Sequence, residues 1–166
     1  VLTSASTISG LGSLKMVEEW RLTTDHVGDA DILSSNLEAV DTDGFGTIGT
    51  GMSLSSGVFT FPQTGIYYIS FTIVQQVTDA TGDYVTGHIV TTTDNSTFDD
   101  AAKTFVSVPS SGPAFNSGVA SFVFDVVDTS THKVRFRIAQ ANNAFRVRGS
   151  TSINETFMTF IRLGDT

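Results

Sequence analysis

The stretch Gly57–Phe71, GVFTFPQTGIYYISF, constrains the fold of this chain more than any other. Val58-Phe59-Thr60-Phe61 shows the short apolar–polar alternation of an extended strand, in which successive side chains point to opposite faces. Pro62-Gln63-Thr64-Gly65 then supplies turn chemistry, with Pro presetting φ and Gly allowing positive φ. Beyond the turn, Ile66–Val74 is dense in the β-branched and aromatic residues that suit a pleated surface. The plain expectation is a hairpin whose strands span 52–61 and 65–77. In the second strand, Tyr67, Ile69, Phe71 and Ile73 share one face, and Tyr68, Ser70, Thr72 and Val74 the other.

The same grammar runs through the rest of the chain. Residues 1–16 are rich in Ser, Thr and Gly without sustained period and read as an N-terminal arm or linker, with the domain proper at 17–166. Strands are expected at Val17–Thr24, Leu37–Val40, Tyr84–Thr93, Lys103–Val108, Ser117–Val127, Lys133–Ala141, Phe145–Arg148 and Thr156–Leu163. Between them lie an irregular loop at Asp25–Asn36, a glycine-rich stretch at Asp43–Gly51 and polar turns at 79–83, Asp94–Asp100, 109–113, Asp128–Thr131 and Asn142-Asn143. Short strands at regular spacing predict one all-β sandwich or barrel, and nothing shows the 3.6-residue period of a helix. Trp20 fits a core or strand-packing position better than a sugar-stacking one.

Composition sets outer limits. The 166 residues suit one domain, large enough to bury a core without staples. Thirteen Phe against three Pro supports strands, and the absence of Cys excludes disulfides and thiolate metal sites. A net charge of −8 argues against nucleic acid as partner. No apolar run approaches the ~20 residues needed to cross a bilayer, so no membrane insertion is expected. No signal-peptide pattern follows Val1, and a start at valine suggests a fragment or a trimmed end.

Phe59-x-x-Pro62-x-x-Gly65-x-Tyr67 resembles the strand–turn–strand signature of C1q/TNF-like jelly rolls. Thr156-Phe157-Met158-Thr159-Phe160-Ile161 is similar to the closing strand of C1q-like domains, although Thr159 stands where that family usually has Gly and Ile69 where it often has an aromatic. The resemblance implies an antiparallel jelly-roll β-sandwich that assembles as a homotrimer, one sheet packed inside. Tyr67, Ile69, Phe71, Met158 and Phe160 would then fill the core, and Tyr68, Phe157, Ile161 and Leu163 would face the threefold axis. The physics agrees: apolar residues on both faces of the last strand need two covers, and one sandwich supplies one. An N-terminal arm folded over that face is the other way to cover it.

Candidate chemistry is sparse. His26, His88 and His132 are scattered, with no partner at ligand or triad spacing and no Gly-x-Ser-x-Gly elbow, so no catalytic residue is assigned. Asp41-x-Asp43-Gly44 begins like a calcium loop but lacks its bidentate Glu. No cofactor is expected, with Ca²⁺ as the secondary reading, since some C1q-like trimers hold calcium near the axis. Six of the nine basic residues fall within 133–162. Of these, Arg135, Arg137, Arg146 and Arg148 are either cationic sheet faces paired with carboxylates or a patch for an acidic host-surface glycan. Asn95-Ser96-Thr97 and Asn154-Glu155-Thr156 match the glycosylation sequon, which matters only in a eukaryotic secretory setting.

The Ser/Thr/Asn/Gly-rich, cysteine-free style and low-complexity arm resemble bacteriophage virion proteins. The expected function is a non-enzymatic trimeric module on the virion surface: a fibre tip, head fibre or capsid decoration. Its arm would contact other virion proteins, and loops 79–83, 94–100 and 109–116 would offer surface for a receptor. A secreted, extracellular C1q-like recognition module and a purely structural capsid protein are the competing readings.

Overall fold

A computed structural model of the chain describes residues 14–77, 84–107, 114–140 and 145–166. Residues 1–13 of the arm, the expected loops at 79–83 and 109–113, and the Asn142-Asn143 turn lie outside them. The described residues form β1 Met16–Leu22, β2 Leu37–Ala39, β3 Ser53–Ser55, β4 Val58–Thr60, β5 Gly65–Val77 and β6 Tyr84–Thr92. They continue with β7 Asp99–Ser107, β8 Ala114–Val126, β9 Lys133–Gln140, β10 Phe145–Val147 and β11 Phe157–Gly164. No helix occurs among them, so none is long and apolar enough to cross a membrane.

All pairings are antiparallel and fall into two sheets. In the first, β8 runs along the whole of β5, from Gly65 opposite Val126 to Val77 opposite Ala114. The other edge of β5 is shared by β11 and, past its end, β10; β1 and β2 follow outward from β11. The second sheet has the order β3-β4-β9-β6-β7. Side chains of odd number on β5 and even number on β11 point between the sheets, as period 2 requires: Tyr67, Ile69, Phe71, Met158 and Phe160 are fully buried. Phe59 and Phe136 meet them from the second sheet. The Phe59 ring lies 5.2 Å from Phe160 and 5.6 Å from Phe136, which in turn lies 5.0 Å from Phe71. Each ring removed from water contributes about 1.5–3 kcal/mol, so this four-ring contact is the bond between the layers. Trp20 packs edge-on against Phe59 at 5.3 Å, a strand-packing role.

Three expectations are corrected. The Pro62–Gly65 turn does not close a hairpin: β4 pairs with β3 and β9, whereas β5 pairs with β8, β11 and β10. The turn carries the chain from one sheet to the other. Phe61 and Tyr67 flank it and both point into the core, ring centroids 4.7 Å apart, while the Tyr67 hydroxyl donates to the Gln63 carbonyl at 2.8 Å. Second, residues 52–61 are a hairpin by themselves. Ser56 and Gly57 both take positive φ, 50° and 80°, the mirror-image turn that matches strand twist. Third, strands start earlier than expected. Met16 belongs to β1 and is wholly buried rather than part of an arm, and β7 starts at Asp99 inside the expected 94–100 connection.

Candidate functional site

The two outer faces of the sandwich differ in character. On the first sheet, backbone register aligns Val17, Ile161, Tyr68 and Val123 into one row across four strands. Phe157, Thr72 and Val119 lie in a second row, continued by Arg21 on β1. Between them runs a polar row of Glu19, Thr159, Ser70 and Ser121. Glu19 is held there, accepting from Thr159 Oγ1 at 3.0 Å and Asn154 Nδ2 at 2.7 Å. Of the four residues expected on this face, Tyr68, Phe157 and Ile161 are half-buried. Leu163 sits in a bulge between Arg162 and Gly164 and is 51% exposed. Sequence reasoning missed the β8 contribution. Phe115, Val119, Val123 and Val127 are 55–60% exposed along its outer side and its extension. Their four-residue spacing, with Ser117, Ser121 and Asp125 between them on the same side, was visible in the sequence behind the core-facing Phe122, Phe124 and Val126.

Arg21 closes one end of this face. Fully buried, it donates to Glu38 at 2.7 Å, Thr42 Oγ1 at 2.7 Å, Asp41 and the Thr151 carbonyl. That network ties the 41–42 loop to the 150–152 loop, and it engages the Asp41 carboxylate that opened the calcium-like stretch.

The second sheet turns a charged face outward. His88 on β6 is buried under its neighbours: Nδ1 lies 2.9 Å from Asp100 and Nε2 lies 2.8 Å from Thr86 Oγ1. Arg137 on β9 reaches both His88 and Asp100, the latter at 2.8 Å. Arg135 lies over the Phe98 ring at 4.4 Å and 4.0 Å from Asp31. Arg146 and Arg148, in contrast, belong to the edge of the first sheet. Asp25 holds both, at 3.6 and 2.6 Å, and Glu155 lies 3.6 Å from Arg148. The four arginines therefore form no common patch, and each has a carboxylate neighbour.

No family model and no curated protein matches the chain. Solved structures do match. A crystal structure of murine APRIL covers 89% of this chain and 98% of its own, with 19% identity and a TM-score of 0.60. Eiger TNF from S. frugiperda covers 93% and 96%, with 10% identity and a TM-score of 0.67. The fold is a TNF-like jelly roll.

Within this TNF-like sandwich the other titratable groups serve the scaffold. His132 stacks on Phe124 at 5.6 Å, and the His26 backbone bridges to Val147. Asp94 accepts from the Ser96 and Thr97 amides at 2.8 Å, bonds that hold its carboxyl well below the usual range. Burial lowers the His88 pKa; Asp100 opposes that shift, and the charges of Arg137 and Lys103 reinforce it. Among the described residues, no three His, Asp or Glu side chains gather in a metal-holding group.

Proposed function

We propose that the protein is a homotrimeric, non-enzymatic surface module, with the outer face of its first sheet turned to the threefold axis and its second sheet turned outward. The observation that carries this reading is the contrast between the faces. Val119, Val123, Phe115 and Leu163 are each more than half exposed on the first, while the second carries the Arg135–Asp31 and Arg137–Asp100 pairs beside the exposed Tyr84 and Phe105. Exposed apolar rows of this kind, parted by the Glu19–Thr159–Ser70–Ser121 row, mark an association surface. A TNF-like jelly roll with both sheets intact leaves no element of its own among the described residues to cover it. Size-exclusion chromatography with light scattering tests the assembly. The expected mass is three times the 17.7 kDa chain; a monomer at micromolar concentration overturns the reading.

The setting we propose is the outside of a virion, as fibre tip, head fibre or capsid decoration, possessing the low-complexity arm as its attachment to neighbouring virion proteins. This rests on compositional style. Antibody labelling of purified particles tests it, and a signal confined to the culture medium would favour the secreted, C1q-like recognition module instead.

A further inference from the structure

The outward face of the second sheet carries a feature that assembly does not use. Register sets Lys103 of β7 opposite His88 of β6, with Arg137 of β9 on the other side of His88. Three nitrogen bases thus stand abreast on a chain of net charge −8. The next row on the same face is Phe105, Thr86 and Ala139. Its two small side chains leave a hollow of about 240 Å³, walled by Tyr84, Phe105, Lys103 and Arg137. Tyr84 and Phe105 are 49% and 59% exposed, their rings edge-to-face at 5.5 Å.

Among the described residues, the carboxylates nearby are already engaged. Asp100 is shared by His88 and Arg137. Asp29 accepts from the Gln140 amide at 2.6 Å, and Asp31 lies by Arg135. Lys103 Nζ sits 5.0 Å over the Phe105 ring, with no carboxylate in ion-pair reach among the described residues. The wall therefore offers an ammonium without an ion-paired carboxylate among the described residues and one part-exposed guanidinium, beside two aromatic rings that are each about half exposed.

We propose that this hollow binds a carboxylate-bearing sugar ring, one unit of an acidic polysaccharide, with Lys103 and Arg137 at the carboxylate and Phe105 and Tyr84 against the apolar ring face. An ammonium and a guanidinium lining one hollow from either side of His88 suit a carboxylate. Aromatic faces suit the C–H surface of a pyranose. An acidic peptide matches the cations but brings no flat apolar face for the two rings. The site rests on the orientation proposed above only for its access to solvent.

The test is an NMR titration of the full chain with a glucuronic acid tetrasaccharide, its carboxyl-reduced neutral counterpart and a tetraglutamate peptide. Saturable shifts are expected at Tyr84, His88, Phe105 and Arg137, with Kd on the order of 0.1–1 mM and roughly tenfold weaker binding of both controls. Phe105→Ala and Lys103→Gln should each weaken binding by roughly tenfold. Absence of saturable shifts, equal binding of the neutral sugar or of the peptide, or an unaffected Phe105→Ala variant overturns the proposal. Light scattering on the same samples separates the two readings: a monomer that binds loses the trimer and keeps the site, and a trimer that fails to bind loses the site alone.

Discussion

Ile161 of β11 stands directly opposite Tyr68 of β5 on the outer face of the first sheet, with Val17 and Val123 extending the pair to the neighbouring strands. Both side chains are only half covered by their own subunit. A carboxylate at position 161 would stay solvated in a monomer but would be buried unpaired, three times over, in the proposed trimer. Unpaired burial of a charge costs several kcal/mol. Ile161→Glu should therefore give a folded monomer, with an unchanged β-sheet circular dichroism spectrum and one-third of the parent mass. Phe105→Ala, on the opposite sheet, should leave the mass unchanged. A trimeric Ile161→Glu variant would move the assembly surface elsewhere.

Arg21 offers a test of the scaffold rather than of the assembly. Its guanidinium is fully buried and serves Glu38, Asp41, Thr42 and the Thr151 carbonyl together. Replacement by Met keeps much of the volume but strips two loops of their common donor. Breaking a buried ion pair from one side costs about 3–5 kcal/mol. Asp41 is largely exposed here and Glu38 partly so, which reduces that cost to about 2–3 kcal/mol. Urea unfolding should show the loss as a lower midpoint with an unchanged slope; a shift under about 0.5 kcal/mol would make the network incidental.

The alternation on β5, β9 and β11 was legible in the sequence because period 2 is a local property, and Tyr67, Ile69, Phe71, Val134, Phe136 and Phe160 all lie on the buried side. The role of Pro62–Gly65 was not. The same turn residues close a hairpin or cross between sheets, and which occurs depends on β9 and β11, far along the chain. The Ser56-Gly57 hairpin was missed because its flanking strands are three residues each. The outward side of Tyr68, Phe157 and Ile161 on the first sheet could be read from the two-residue period. The Lys103–His88–Arg137 row could not, since it depends on the register of three strands and on a bulge between Ile89 and Val90.

Gly65 is the residue on which the crossing between sheets turns. Its φ is +145°, and a Cβ there would meet Arg162 Nε and the Gly164 carbonyl oxygen at 2.5 Å. The Gly164 backbone cannot withdraw without breaking its pairing with Ile66. Gly65→Ala is expected to lower stability by about 1–3 kcal/mol through backbone strain, before the contact is counted. Gly46→Ala, with nothing within 4 Å of the new methyl, should stay within about 0.5 kcal/mol of the parent. Equal midpoints for the two variants would remove the steric account of the turn.

His88 links the second sheet to pH. Its pKa lies below the ordinary 6.5, first because burial disfavours the imidazolium, then because Arg137 and Lys103 repel it, against the pull of Asp100. The native state thus binds this proton less readily than the unfolded chain. Stability from His88 is present in full above about pH 6.5 and is lost as pH falls below it, down to the depressed native value. Asp94, Asp128 and Asp165, also held below their ordinary 3.8, act only in a separate, more acidic window. Between about pH 7.5 and 5.5, the urea midpoint of the parent should fall more than that of His88→Gln. The His88 ring signals should titrate with a midpoint under about 6.5. A midpoint above that value would mean that Asp100 outweighs burial, and the stability of the parent would then rise on acidification through the same range.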